Sequence, residues 1–330
     1  MSYSLIKNVT ALPRPTDGKR PKVNVPYLSP SQVSSFSRCE AAYYAQYAKG
    51  RREPGKPVLM LGTGTHRFAE AYHEMVMAGR PANELFDGAM QEACNTIDED
   101  IANDPGFDWK NAVWYKSATY DAGMNVYVGT DAKFLKTNDL LKWRVEQSAR
   151  LLVPTLNEYQ PVRLEQGYFI EWADGITLPI LCFTDLIAYR KDATSSIKRV
   201  IDYKTSGKMK DIIDLQRNIG LTAYSIGEGL VFGSEMIRDV GFINIVTTKQ
   251  MQITTIDDIR VEDDIRRLYN AARVQTLKLR AGLIGISDNP MNCSWCYHRA
   301  WCEDAFGGKR PVNKTLEDAA ADANQLQFVA

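Results

Sequence analysis

Asp202 and Lys204 stand two residues apart in Ile197-Lys198-Arg199-Val200-Ile201-Asp202-Tyr203-Lys204-Thr205. The apolar, β-branched character of that run predicts a strand. Side chains alternate along a strand, so Asp202 and Lys204 share one face with Val200, while Ile201 and Tyr203 take the other. Asp185 lies in the preceding strand-like run and Glu165 in the one before it. If those strands are neighbours, three carboxylates and one ammonium meet at one edge of a sheet. Two like charges about 4 Å apart repel by roughly 4 kcal/mol at an effective dielectric of about 20. Such a gathering is poor packing but a good seat for a divalent cation with oxygen ligands, Mg2+ or Mn2+. A bound cation acidifies its water and polarises a phosphoryl oxygen, and Lys204 is placed to orient that water or to hold charge building on phosphorus. Such a constellation suits phosphodiester hydrolysis; a salt bridge at a strand end is the plainer use of the same residues.

A second constellation is made of thiols. Of the six cysteines, Cys293, Cys296 and Cys302 fall within ten residues in a Cys-x2-Cys-x5-Cys pattern. Spacing that tight reads as a metal or cluster site. A fourth ligand must come from elsewhere, and Cys39 and His298 are the candidates. Cys94 and Cys182, each alone in an apolar stretch, read as ordinary buried thiols.

The elements that must position these residues are legible in outline. Residues 1–26 are rich in Pro, Lys and Arg without a period and read as a flexible basic arm. Ser29-Pro30-Ser31-Gln32 is a helix start with its capping box, and that helix is expected to run to about Lys49 through Cys39. Gly50 to Pro57 is a basic turn with Arg51, Arg52 and Lys56. Gly62-Thr63-Gly64-Thr65 is expected to precede a helix over 65–78 with His66 in its first turn, where a neutral imidazole is favoured. Residues 82–108 carry eight acidic residues and no basic ones, a solvated helix and loop. Residues 114–157 read as two helices, from Trp114 through Phe134 and on to Val145.

The period changes near 160. Val162–Trp172, Leu178–Tyr189 and Ser195–Tyr203 read as strands, the first two joined by a turn at Asp174-Gly175. Residues 211–232 read as helix, Val240–Thr248 and Met251–Ile256 as a hairpin, 258–281 as a long amphipathic helix, and 307–330 as a tail. Helices, then strands, then helices predict a mixed α/β core in a single domain over 27–306. Its helical part spans about 27–157, its sheet about 160–256, and its last helix and cysteine segment 258–306.

The chain has 330 residues, with 40 basic residues balancing 40 acidic ones. That excludes a polycation. It leaves nucleic acid open, since residues 1–56 hold ten Lys/Arg against three Asp/Glu. No apolar run of about 18 residues predicts a membrane span, and no leader-type stretch opens the chain. A reducing cytoplasm is the expected compartment, which also disfavours disulfides. No Gly-x4-Gly-Lys-Ser/Thr loop is present, so any unwinding needs a partner.

Taken in order, these residues resemble the PD-(D/E)XK nuclease superfamily, and more narrowly its RecB-like and CRISPR-associated exonucleases that carry an iron–sulfur cluster. Leu28-Ser29-Pro30-Ser31 with Phe36 and Cys39 resembles the opening helix. Gly62-Thr63-Gly64-Thr65-His66 resembles the motif whose histidine joins the metal site. Asp185 matches the first metal-binding aspartate, and Asp202-Tyr203-Lys204-Thr205 the Asp-x-Lys core. The resemblance implies a restriction-endonuclease-like fold and a DNA exonuclease acting on single strands or ends. It implies Mg2+ or Mn2+ on Asp185, Asp202 and His66, with Glu165 or Glu171 as the outlying carboxylate. It also implies a 4Fe-4S cluster on Cys39, Cys293, Cys296 and Cys302 that clamps the chain ends, although spacing alone also allows zinc. Tyr224 and Gln216, with Arg51 and Arg52, are the implied DNA contacts. Tyr43, Tyr44 and Tyr47 are aromatic enough to stack on bases, although core packing competes for them. A helicase or recombination partner fits the missing motor, and a stand-alone nuclease fits a phage or mobile element.

Two departures from the family pattern bear on function. Cys182 stands where the family usually has Gly, and Gly220 stands where a Gln-x-x-x-Tyr helix motif would have its Gln. On one continuous helix Gln216, Gly220 and Tyr224 would share a face, so that Gln216 substitutes. These departures support a rival reading as a non-catalytic DNA-binding subunit on a nuclease fold in a recombination or repair complex. A redox protein using the cluster would leave the carboxylates without a role.

Overall fold

The structure is a computed structural model and describes residues 2–15, 23–109, 118–121, 126–129, 135–191, 197–247, 251–287, 289–294 and 296–306. Its elements in chain order are β1 (Ile6–Leu12), α1 (Pro30–Arg38), α2 (Glu40–Tyr43), α3 (Pro57–Met77), α4 (Ala82–Ala102), β2 (Ala118–Asp121), β3 (Val126–Gly129), β4 (Leu135–Lys136) and α5 (Thr137–Leu156). There follow β5 (Tyr159–Trp172), β6 (Ile180–Arg190), β7 (Lys198–Ser206), α6 (Ile212–Gln216), α7 (Ile219–Phe232), β8 (Asp239–Val246), β9 (Gln252–Ile259), α8 (Glu262–Arg280), α9 (Pro290–Ser294) and α10 (Arg299–Ala305). A 3-10 turn spans Ser2–Leu5 and a π-helical turn spans Tyr44–Ala48.

The main sheet has six strands in the order β1-β5-β6-β7-β8-β9. β7 and β8 pair in parallel, and the other neighbours are antiparallel. A parallel pair needs a crossover, which α6 and α7 supply. One face carries Leu164, Leu186, Ile201 and Ile243 against α3, α4 and α5. The other carries Tyr168, Ile170, Ile180 and Cys182 against α1, α7 and α8. Among the described residues no helix is long and apolar enough to cross a membrane.

The strands and most helices lie where periodicity puts them, and the exceptions have causes. Ser29 accepts from the Gln32 backbone and Gln32 reaches back to the Ser29 N–H, as the capping box requires. The helix does not run unbroken to Lys49, because Cys39 is extended (φ −162°, ψ 113°) and divides α1 from α2. α3 starts at Pro57 rather than at residue 65, with proline in the first turn where its missing N–H costs nothing. Gly62 and Gly64 are therefore interior, and a Cβ on Gly64 would come within 2.9 Å of Val145 Cγ2. The glycines serve helix packing there rather than helix initiation.

The amino-terminal segment is not all loose arm. Residues 6–12 form an edge strand, with Ile6 opposite Trp172 and Leu12 opposite Gly167. Its polar outward residues hide the strand period. The two helices expected over 114–157 are one helix, α5, preceded by the small sheet β2-β3-β4. Val126-Tyr127-Val128 is β-branched and aromatic, which outweighs a helical reading. Trp114, Phe134 and the tail at 307–330 lie outside the described residues. The acidic helix α4 turns a buried stripe of Leu85, Ala89, Ala93 and Ile97 inward.

α7 lies unusually close to β5. A Cβ added at Gly227 would sit 2.3 Å from Cγ of the buried Tyr168 ring, whereas one added at Gly62 meets Thr205 at an ordinary 3.6 Å. Gly227→Ala is expected to cost about 1–3 kcal/mol through overpacking. Gly62→Ala is expected to be neutral or to gain up to about 1 kcal/mol of helix propensity. Urea denaturation of the two variants checks the contrast.

Candidate active site

The site begins with a break in the sheet. β6 and β7 are paired from Tyr189↔Lys198 to Leu186↔Ile201 and no further. Continued, the register would set Asp185 opposite Asp202. Instead the strands part, while β7 stays paired with β8 as far as Ser206↔Val246. The Tyr203 N–H, left without a partner on β6, donates to Asp185 Oδ2 at 2.9 Å. A side-chain carboxylate thus closes the fork in place of a carbonyl.

A second irregularity coincides with it. The β5–β6 register runs from Leu164↔Leu186 to Gln166↔Thr184 and passes over Glu165 and Asp185. Glu165 has φ +46°, the one positive φ of a non-glycine among the described residues. Four residues along a regular strand return to the same face. Yet Leu164 and Tyr168 lie in opposite core layers, as do Cys182 and Leu186. Both strands change face at the two carboxylates. A left-handed Glu costs free energy that persists only where the surroundings enforce it.

Into the fork project groups from both faces. Asp202, 3% exposed, has Oδ2 2.6 Å from Lys204 Nζ. Both lie on the side of α6 and α7, as strand alternation requires, and the Lys204 ammonium stands 5.8 Å from the Phe242 ring. From α3 on the other side, His66 Nδ1 comes 3.6 Å from Asp185 Oδ2, its ring edge-on to Tyr203. His66 sits in mid-helix, not in the first turn, so a helix N-terminus does not set its charge. Desolvation in the fork, then the Lys204 ammonium, pushes its imidazole down to about 4, which leaves a neutral ring with a free lone pair.

Burial pushes the Asp202 carboxyl up to about 7, with Asp185 adding to the rise and Lys204 opposing it. Burial also works against the Lys204 ammonium, but Asp202 and Asp185 outweigh it and raise its pKa. Tyr224 on α7 is kept protonated by burial first, then by Asp202, Asp185, Cys182 and Glu165, which places its hydroxyl within electrostatic reach of all three carboxylates. Glu171 is elsewhere: it faces the edge strand, accepting from Asn8 Nδ2 at 3.2 Å and lying 3.9 Å from Lys7. The geometry therefore separates Glu165 from Glu171.

Other sequence candidates are not drawn in. Gln216 does not share a helix face with Tyr224. The crossover breaks at Arg217 and Asn218, where Asn218 caps α7 and Gln216 is exposed at the end of α6. Its carbonyl accepts from Arg267 at 2.8 Å. A Cβ on Gly220 would lie 3.4 Å from the Tyr224 hydroxyl, so the tyrosine occupies the space over that turn. Cys182 is buried beneath the fork and its thiol is raised by burial. Arg51 and Arg52 stand on an exposed turn before α3.

Sequence reasoning missed two supports. Glu228, fully buried one turn past Tyr224, accepts from Arg163 Nε at 2.9 Å and from the Tyr168 hydroxyl at 2.5 Å, with Lys198 at 3.4 Å. It fastens α7 to β5 and β7. The signal was present as a lone acid in an apolar helix, which must be paired if buried. Asn244 on β8 is opposite Lys204. With its amide turned to suit its neighbours, it donates to Ser206 Oγ (3.1 Å) and the Lys204 carbonyl (3.2 Å) and accepts from Lys210 N–H (3.1 Å).

The cysteine segments meet through protein contacts. Glu40 accepts from Lys278 Nζ at 2.5 Å and from Gly285 N–H at 2.7 Å, Gly285 O accepts from Ala41 N–H, and Asn292 donates to the Arg38 carbonyl. Cys39, Cys293, Cys296 and Cys302 are all free thiols. Burial pushes the Cys302 thiol up to about 11, with Cys39, Cys293 and Cys296 adding to the rise, so the four are electrostatic neighbours. Their chemistry fits a soft metal or an iron–sulfur cluster. Two carboxylates and a neutral imidazole at the fork fit a harder divalent cation. Among the described residues no three His, Cys, Asp or Glu side chains stand as a ready-made ligand set, so a bound metal would have to draw its donors together.

A mixed sheet forked beside an Asp and an Asp-x-Lys strand is the core of a nuclease class. The chain belongs to the PD-(D/E)XK nuclease superfamily, whose family model matches residues 27–303. No curated protein matches it. Among solved structures, a similar one is the crystal structure of a Eubacterium rectale protein named "Putative exonuclease". It is 14% identical, with 89% of this chain and 93% of that one covered and a TM-score of 0.43. That likeness is too loose to bear on function.

The raised Asp202 carboxyl has a consequence for stability. Its folded pKa of about 7 exceeds the ordinary 3.8, so between those values the folded state holds a proton that the unfolded chain releases. Stability from this group therefore falls as pH rises from about 4 to about 7, then levels off. Asp202→Asn removes the effect. In metal-free buffer the variant is expected to match wild type near pH 3 and to exceed it at pH 8. Added Mg2+ or Mn2+ should stabilise only the wild type at pH 8; urea titrations at both pH values measure this.

Proposed function

We propose that this chain is a Mg2+- or Mn2+-dependent deoxyribonuclease of the RecB-like type that degrades single strands or DNA ends. The observation that carries this reading is the fork. There Asp185 and a buried Asp202 face each other across parted strands with the Lys204 ammonium 2.6 Å from Asp202. Like carboxylates held together at such cost are explained by a cation that neutralises them. Asp185 and Asp202 are the ligands, completed by neutral His66 and by Glu165. The cation supplies Lewis acidity at the phosphoryl oxygen and a more acidic water. Lys204, anchored on Asp202, orients the attacking water through an N–H and presents a positive charge to the phosphate. Tyr224, protonated and held over Gly220, donates to a non-bridging oxygen of the scissile strand.

Cys39, Cys293, Cys296 and Cys302 hold a 4Fe-4S cluster that reinforces the contact between residues 38–41 and 278–292. The support is the set of four neighbouring free thiols at that contact. Zinc on the same thiols, with His298 nearby, is the alternative. Iron and acid-labile sulfide in anaerobically purified protein, with a brown colour, are the expected result; one zinc per chain without iron would replace the cluster.

The decisive assay is degradation of end-labelled single-stranded DNA with Mg2+ or Mn2+ and with chelator. Wild type should produce a ladder only with the cation. Lys204→Ala should lose about a hundred- to a thousandfold, in the range of a lost charge-stabilising group, while keeping its thermal midpoint. A folded, metal-replete wild type that cleaves neither single-stranded nor duplex DNA would instead make the chain a DNA-binding subunit.

A further inference from the structure

Away from the fork, two neighbouring aromatic rings are flanked by cations along one stretch of surface. Lys49 Nζ lies 5.3 Å from the centre of the Tyr44 ring. Tyr44 lies 6.5 Å from Trp301, with the two rings inclined at 33°. On Trp301 rests the Arg51 guanidinium, 5.7 Å from the ring centre. The backbone builds this row. The π-helical turn at Tyr44–Ala48 and Gly50, at φ +65°, fold the chain back so that Arg51 N–H donates to the Ala45 carbonyl at 2.9 Å.

Three features single this surface out. Tyr44 and Trp301 are half-exposed, and Tyr47 beside them is 38% exposed, while Tyr43 beneath is core. Among the described residues no carboxylate pairs with Lys49, Arg51 or Arg52, although Lys56 close by is paired with Glu53. The turn also runs straight into α3, which carries His66 ten residues into the helix and Gly62 against Thr205 of β7. A helix rises about 1.5 Å per residue, so His66 lies about one and a half nanometres along α3 from the end that this turn enters.

We propose that Lys49, Tyr44, Trp301 and Arg51 form a stacking platform for the unpaired nucleobases of an incoming single strand, making the enzyme select single strands over duplex. This deepens the nuclease reading and rests on it for the identity of the strand. Duplex DNA hides its base faces and offers only phosphates and groove edges, whereas a single strand offers phosphates to the cations and a π-face to every ring. A guanidinium plane can itself stack on a base, so Arg51 continues the row.

The test is anisotropy of the full-length protein with fluorescein-labelled oligothymidylate and with a blunt duplex of equal length, in buffer free of Mg2+ and Mn2+ so that nothing is cut. Trp301→Ala and Tyr44→Ala should each weaken single-strand binding about tenfold, the loss expected of one base–aromatic stack, and change duplex binding less than twofold. Trp301→Phe should restore most of the affinity. Arg51→Gln should also lower the salt slope by about one, whereas Lys7→Gln on β1 should change nothing. Equal losses on both ligands, or unchanged single-strand affinity in variants with native circular dichroism, would overturn the platform. If Trp301→Ala does not fold, Tyr44→Ala and Arg51→Gln decide. Wild type assayed for cleavage alongside separates the two readings. Cleavage with unaltered variant binding removes the platform alone, and selective binding without cleavage removes the catalytic reading alone.

Discussion

The hydrogen bond from the Tyr203 N–H to the Asp185 carboxylate is the constraint on which the site turns. A sheet closes its ladder with backbone carbonyls, because an unpaired buried N–H is costly. Here the ladder between β6 and β7 ends at Leu186↔Ile201 while both strands run on, and the orphan donor is met by a side chain. That substitution parts two strands and still gives the Tyr203 N–H an acceptor. It also orients Asp185 at the mouth of the opening and leaves Asp202 facing it from the strand that continues.

The rest of the molecule holds the fork open and fills it. The left-handed Glu165 turns β5 over where Asp185 turns β6, so that neighbouring strands change face together and stay paired on either side. Glu228 ties α7 to β5 and β7, and the bare turn at Gly227 lets that helix settle on Tyr168, which lowers Tyr224 toward the carboxylates. Asn244 holds the chain just beyond Lys204 from the β8 side. From the opposite layer α3 brings His66, its interior glycines allowing close approach to neighbouring elements. Repulsion, burial and one short ion pair are thus balanced in a space that hydrophobic packing alone would collapse.

Much of this was legible in the sequence, and the limits have physical causes. Alternation along Val200–Lys204 put Asp202 and Lys204 on one face, because a strand's period is rigid. The capping box at Ser29 and the turn at Gly175 follow from local chemistry. The position of His66 was misjudged since Gly62 and Gly64 carry the mark of a helix start, while their use depends on Val145, far along the chain. Gln216 was misplaced because the helix break at Asn218 is a capping event inside an otherwise helical stretch. The change of face at Glu165 and Asp185 cannot be read from either strand alone, since each still looks alternating. Glu228 was visible as an anomaly but not as an anchor, because its partners come from three different elements.

The edge strand β1 carries a further consequence, for synthesis. Ile6 is made 166 residues before its partner Trp172. At translation rates of about 5–20 residues per second, the first strand waits on the order of ten seconds or more before its place in the sheet exists. During that interval it is an unpaired edge, the kind of surface on which nascent chains associate. Its sequence suits the wait: Lys7, Asn8 and Thr10 remain exposed even in the finished fold, so the segment stays hydrated until β5 arrives. The polar pattern that disguises the strand on paper is what keeps it available on the ribosome.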